Sequence, residues 1–218
     1  MTSQSHHVVL YGDGLWISPY VFSVYVGLRE KGIPFSMHDV ALHKSEQRKP
    51  EYLKRTLTGK VPALEHGDFM LAESSAIIEY LEDVFAPPRH PRILPEDVKL
   101  KARARQIMAW IRSDLMPLRE ELPTTTMFYE PSKVPLSPKG EEARDKLLHV
   151  ASALIHDGES YLFGEYCIAD TDLAFMLQRL IMNGLEVPEK VRKFAHAQWQ
   201  RPGVQEYVNH KRPPYVAY

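Results

Sequence analysis

Apolar residues change their spacing repeatedly along the first third of the chain, and each change marks an element. Val8 to Tyr11 is a short apolar and β-branched run, broken by Gly12-Asp13-Gly14, so a strand followed by a loop is expected. Ser18-Pro19 comes next, with serine suited to an N-cap and proline to the first helical position. A stripe of Tyr20, Val21, Val24, Tyr25 and Leu28 continues that helix, which should stop at Gly32. Phe35 to Val40 has the length and alternation of a second strand, giving strand, helix, strand with a parallel crossover. The polar stretch Ser45 to Arg55 has few apolar anchors and reads as a loosely held helix or an irregular surface segment. Val61 to His66 and Phe69 to Ala72 flank Gly67-Asp68, the pattern of a hairpin with a tight turn. After Ala72 the period becomes helical through Ala76, Ile77, Tyr80, Leu81 and Val84, so a helix begins near Glu73 or Ser74.

Phe85 to Pro95 then holds four prolines in eleven residues, which excludes a continuous helix. The expected division is a first domain over 1–84, a linker over 85–95 and a second domain over 96–218. Beyond the linker the pattern is helical throughout: Glu96 to Glu121, Pro138 to Asp157, Ile168 to Asn183, Pro188 to Trp199, and a short last helix from about Gly203. The proline-bearing stretch from Pro123 to Pro138 is expected to be a loop. Along Glu96 to Glu121, Ile107, Ile111 and Leu118 share a face that reads as core. Ala109, Ser113 and Met116 fall on the opposite face, where small residues either leave room for a ligand or meet solvent.

Composition narrows the function classes. The 218 residues contain 27 Lys plus Arg against 28 Asp plus Glu, so there is no broad positive field to favour a nucleic acid. Lys99, Lys101, Arg103 and Arg105 alternate around a helix and read as solvated charge or subunit contacts. No apolar run approaches the ~18 residues of a spanning helix. Met1 to His7 lacks the basic start and apolar middle of a secretion signal, and His6-His7 reads as a disordered terminus. The single cysteine, Cys167, excludes an internal disulfide and fits a reducing, cytoplasmic setting. None of the ten histidines forms a ligand-spaced pair beside acids or cysteine, so no metal is expected.

Two stretches carry candidate chemistry. If Val61-Pro62 is cis, the N–H and C=O of Val61 face outward, able to pair with a short peptide by strand addition. Shortly after it, the helix opened by Glu73-Ser74 offers N–H groups, a hydroxyl and a positive dipole end for a carboxylate, while Glu73 suits an ammonium group. Together they describe a site for a peptide backbone beside an α-amino acid head group; the plain alternative is a capped helix next to an ordinary hairpin. At Ser18 a hydroxyl and a helix N-terminus coincide, which stabilises a thiolate, or else simply caps the helix. A free thiol ionises near ~8.5 and each unit of lowering is worth about 1.4 kcal/mol, so one or two units would leave a bound thiol largely ionised at neutral pH.

Lys60-Val61-Pro62, the hairpin and Glu73-Ser74-Ser75-Ala76-Ile77-Ile78-Glu79-Tyr80-Leu81 resemble the glutathione-binding half of the cytosolic glutathione S-transferase superfamily. The likeness extends over nearly the whole chain and is greatest to serine-type bacterial, zeta and tau members. It implies an α/β plus all-α architecture: a thioredoxin-like N-terminal domain of order βαβ-α-ββα and an all-helical C-terminal domain. It implies glutathione as co-substrate with no prosthetic group, an electrophilic or hydrophobic small molecule as second substrate, a homodimer, and a role in detoxification or oxidative stress. Attack on an electrophilic carbon is the expected reaction, with a peroxide oxygen as the alternative target. Ser18 would then be the catalytic hydrogen-bond donor to sulfur, with Tyr11 and Tyr20 ranked below it. Val61 and Pro62 would hold the cysteinyl backbone, Glu73 and Ser74 the γ-glutamyl end, and Lys60 the glycine carboxylate. Gln47 would assist, with His43 or Lys44 as alternatives. Trp16 with Ala109, Ser113 and Met116 would line the electrophile pocket. Cys167 to Asp170 resembles the capping box of the family's buried helix, with a structural role for Asp170 and cysteine in place of the usual hydroxyl residue. Ser18-Pro19-Tyr20 departs from the serine, serine, cysteine run of zeta enzymes, which removes support for their isomerase activity, and no Cys-x-x-Cys pair is present. The rival reading is a non-catalytic member of this fold, a ligand carrier or partner-binding protein.

Overall fold

The first apolar run forms β1 (Val8–Asp13), two residues longer than the sequence pattern predicts, because Gly12 and Asp13 stay in register opposite Asp39 and Val40. The coordinates, a computed structural model, describe residues 7–217. Gly12 is demanded by close approach: a Cβ there would lie 2.8 Å from Met37 Cε and 2.9 Å from Val21 Cγ1. Helix α1 (Pro19–Glu30) has Ser18 as its N-cap. It ends where Gly32, at φ 64°, lets the N–H groups of Gly32 and Ile33 turn back to the carbonyls of Arg29 and Leu28. β2 (Phe35–Val40) pairs in parallel with β1. The polar stretch beyond β2 is two 3₁₀ turns, Leu42–Lys44 and Glu46–Arg48, and the short helix α2 (Pro50–Arg55). β3 (Ala63–His66) and β4 (Phe69–Ala72) form the hairpin, with Gly67 at φ 64° in its two-residue turn, and α3 (Ser74–Val84) comes next. The strand order is β2-β1-β3-β4, a mixed sheet with β3 antiparallel to both neighbours.

Leu10, Phe22, Val24, Ile77, Ile78 and Leu81 are fully buried and form the heart of this unit, where α1 packs on α3. His7, read from sequence as part of a disordered terminus, places Nε2 2.8 Å from Ser36 Oγ; His6 lies outside the described residues.

The helical unit contains α4 (Val98–Ser113), α5 (Met116–Glu121), α6 (Thr125–Phe128), α7 (Pro138–Leu154), α8 (Ile168–Met182), α9 (Glu189–Trp199) and α10 (Pro202–Val208). α8 is buried from Ile168 to Leu180, its polar residues Asp170, Thr171, Asp172, Gln178 and Arg179 included, and packs on α4, α6, α7 and α9. The single helix expected over Glu96 to Glu121 is instead two, separated at Leu115, which takes a left-handed φ of 61°. Pro117 is the reason: its ring has no N–H to give Ser113 and would collide with that residue's carbonyl in a continuous helix. The loop expected from Pro123 contains the single turn α6.

Two compact units result, one extending to Arg92 and taking in the chain from Asn209, the other covering Ile93–Val208. The sequence division assigned everything after residue 95 to the helical half; the tail from Asn209 associates with the sheet unit.

Candidate active site

Strand register decides which loops of the sheet unit meet. Val40 of β2 lies opposite Asp13 of β1, Ala63 of β3 opposite Tyr11, and Ala72 of β4 opposite Ala63. The ends of β1, β2 and β4 and the start of β3 therefore share one end of the sheet. From that end emerge the loop to Ser18, the turn containing Gln47, the Lys60-Val61-Pro62 entry and Glu73-Ser74.

Ser18 is half-buried at φ −69° and ψ 122°, and its Oγ accepts the Val21 N–H at 3.3 Å. Its own N–H is held by a residue that sequence reasoning passed over. Asp13 is 1% exposed; its Oδ2 accepts the Ile17 N–H at 2.8 Å and its Oδ1 the Ser18 N–H at 3.1 Å. Burial pushes the Asp13 carboxyl above the usual carboxylate range, against the opposing pull of those N–H bonds. The signal was legible: an aspartate closing a strand commonly accepts from the main chain a few residues on. Trp16 is buried, with Nε1 donating to Asp39 Oδ1 at 3.0 Å and its ring stacked on His210 at 3.7 Å and 6°. Beside this loop lies a hollow of about 400 Å³ whose lining includes Leu15, Leu42, His43, Pro213 and Val216.

The Val61–Pro62 bond is cis. Val61 stands outside the β-ladder, and neither its N–H nor its C=O has a hydrogen-bond partner among the described residues. Lys60 is exposed and its carbonyl accepts the Tyr52 hydroxyl at 2.8 Å. Gly59, at φ 60°, allows the Gln47 carbonyl oxygen within 3.2 Å of where a Cβ would stand, bringing the Gln47 turn against this entry. Gln47 Oε1 is buried with no partner among the described residues, whereas His43 and Lys44 are exposed. Glu73 is exposed, takes a left-handed φ of 72° and precedes α3; Ser74, the first helical residue, is buried.

Tyr11 is committed elsewhere. Its hydroxyl donates to Glu65 Oε2 at 2.6 Å and receives Arg55 at 3.1 Å, while burial and the Glu65 bond raise its pKa. Tyr20 is half-buried in the first turn of α1. In the helical unit, Ala109 and Ser113 are exposed on α4, the Ser113 hydroxyl donating to the Ala109 carbonyl at 3.0 Å. Met116 is exposed beyond the break at Leu115, so it does not continue their helical face. Asp170 is fully buried, accepting the N–H groups of Cys167 and Leu162 at 2.7 Å each. Burial pushes the Cys167 thiol well above its usual range, leaving it a poor nucleophile.

A four-stranded mixed sheet of thioredoxin-like order, followed by a bundle of helices, defines the class of fold. Residues 17–84 match the family model for the glutathione S-transferase N-terminal domain, and residues 97–211 the model for the C-terminal domain. A glutathione S-transferase of Triticum aestivum is 30% identical over 176 residues, covering 74% of this chain and 75% of that protein. Glutathione S-transferase 1 of Dianthus caryophyllus is 37% identical over 118 residues, 54% of this chain and 51% of the relative. The chain thus spans about half the length of that curated relative, and 35% of the human glutathione S-transferase theta-2. Among solved structures, a glutathione transferase homolog from Burkholderia gl BGR1 with bound glutathione is 40% identical, with a TM-score of 0.76, covering 93% of this chain and 96% of that one. The chain belongs to the glutathione S-transferase family.

Proposed function

We propose that this chain is a serine-type glutathione transferase, in which glutathione lies along Val61 and presents its sulfur to the Ser18 hydroxyl. The observation that carries the reading is the unpaired main chain of Val61 at the same sheet end as Ser18 and Glu73-Ser74. An extended cysteinyl residue would supply the missing donor and acceptor by strand addition. Family membership and the glutathione bound to the Burkholderia homolog support glutathione as the peptide. The γ-glutamyl carboxylate would meet the N-terminus of α3 at Ser74, its ammonium Glu73, and the glycine carboxylate Lys60, with Gln47 alongside. Ser18 Oγ accepts the Val21 N–H, which holds the hydroxyl at the N-terminus of α1. The thiolate would attack an electrophilic small molecule, with hydroperoxides as a further substrate class, in a cytoplasmic homodimer.

Ser18→Ala tests the assignment. The bound thiol should rise by about one pKa unit, corresponding to about 1.4 kcal/mol. Turnover of chloro-dinitrobenzene should fall about ten-fold at pH values well below the pKa of the bound thiol, where the thiolate fraction falls by that factor, and by less near neutral pH. Calorimetry should show glutathione affinity nearly intact. A thiol titration and turnover both identical to wild type would remove Ser18 from the reaction, and glutathione binding without turnover across electrophiles and hydroperoxides would point to a carrier.

A further inference from the structure

The loop between Asp13 and Ser18 is gripped from a distant part of the chain. Trp16 adopts φ 55°, a left-handed conformation that is a genuine outlier for a bulky side chain and persists only where surroundings enforce it. Its N–H donates to the Asp13 carbonyl at 3.0 Å and its indole to Asp39. The remaining restraints come from the tail: the His210 ring stacks on the indole, and Arg212 forks onto the Trp16 carbonyl through Nε at 3.1 Å and Nη2 at 2.9 Å. Burial lowers the His210 pKa, with the Arg212 charge adding to the effect, which favours a neutral, stackable imidazole.

The Trp16 C=O and the Ile17 N–H are opposite ends of one peptide plane. Arg212 holds the oxygen end and Asp13 Oδ2 the nitrogen end, so the Trp16–Ile17 plane is fixed on both sides, and Asp13 Oδ1 holds the N–H of the next plane, at Ser18. We propose that Arg212, seconded by His210, is a positioning residue for Ser18, aiming the serine hydroxyl at a bound thiol from the far end of the chain. The proposal rests on the reading of Ser18 given above. A misplacement of about 1 Å at a reacting group is enough to cost about 10²-fold in rate, so a modest relaxation of this plane is sufficient to register in the chemistry.

The test uses full-length wild type, Ser18→Ala, Arg212→Ala, Arg212→Lys and His210→Ala, each titrated for the bound glutathione thiolate by ultraviolet absorbance and each melted as a control for folding. Arg212→Ala should raise the bound thiol by about half a pKa unit, so that kcat/KM below that pKa falls about three-fold. Glutathione affinity should stay within about two-fold, and at saturating pH the rate should recover. His210→Ala should move the thiol in the same direction by less. Arg212→Lys keeps the charge and loses the fork, so it should recover only part of the shift. An Arg212→Ala titration superposing on wild type, while Ser18→Ala shifts, overturns the positioning role and leaves the transferase reading intact. Full recovery by lysine also overturns it, assigning the effect to charge alone. Wild type that fails to lower the thiol pKa overturns the underlying reading itself.

Discussion

Two buried aspartates show how a single side chain can organise a loop. Asp13 gathers the N–H groups of Ile17 and Ser18, and Asp170 those of Cys167 and Leu162, each carboxylate replacing hydrogen bonds that a turning chain would otherwise leave unmade. Burial pushes the Asp170 carboxyl up to about 6, so folding raises its proton affinity. The unfolded chain binds fewer protons at this site than the folded one between the ordinary carboxylate range and that value. The associated stabilisation is therefore complete below the ordinary range and is lost as pH rises through about 6. Asp170→Asn removes the titration and turns an amide toward one of the two N–H donors, which should destabilise the protein by about 1–3 kcal/mol. Denaturant unfolding at several pH values should show this deficit narrowing as pH rises through about 6; a deficit independent of pH would mean the carboxyl titrates normally. Asp170 was legible in the spacing Cys167 to Asp170. Leu162, its second donor, was not, because nothing local ties a residue eight positions upstream to it.

At the scale of elements, spacing located strands and helices better than it located their breaks. Phe35–Val40 and Phe69–Ala72 have the expected bounds, whereas the strand expected over Val61 to His66 begins only at Ala63, because Pro62 brings no N–H to the ladder. The break at Leu115 was hidden because apolar period continues smoothly from Ile111 to Leu118, both buried, while the backbone between them is interrupted at Pro117. Packing between elements also assigns Gly12 a role that a loop signal does not suggest. With Met37 of β2 on one side and Val21 of α1 on the other, Gly12→Ala should overpack this junction and cost about 1–3 kcal/mol. Because Val21 also supplies the N–H bonded to Ser18 Oγ, turnover should fall along with the denaturation midpoint. An alanine variant with wild-type midpoint would show that the methionine end swings away without cost.

Over the whole molecule, long-range polar anchors hold the segments that lie between and beyond the regular elements. Lys31, at the end of α1, pairs with Glu82 of α3 at 2.8 Å and donates to the carbonyls of Phe85 at 3.0 Å and Pro91 at 2.8 Å. Its side chain is entirely buried, so a cation there is tolerated only with these partners in place. Lys31→Ala should take from the buried Glu82 carboxylate its 2.8 Å partner, with Arg92 standing farther off at 3.8 Å, and should cost about 3 kcal/mol or more. Thermal unfolding would register this as a clear fall in midpoint; an unchanged midpoint would mean that Arg92 takes over the pairing. Arg212 performs the corresponding service at the other terminus, on Trp16.

Local residue chemistry determined the order of elements in the sheet unit and the cap at Ser18, since turns, caps and periodicity are properties of neighbouring residues. The cis bond at Val61–Pro62 entered the sequence reading only as a condition that the structure met. Local chemistry also picked out Ser18, Val61, Glu73 and Ser74 as candidates. Tertiary structure decided that these segments leave one end of the sheet, that Tyr11 is occupied by Glu65 and Arg55, that Met116 turns off the helical face, and that the last residues return to the sheet unit. Those outcomes depend on strand register and on contacts between residues as far apart as Trp16 and Arg212. The free energy of such contacts belongs to pairs the chain brings together only on folding, and no pattern along one segment encodes it.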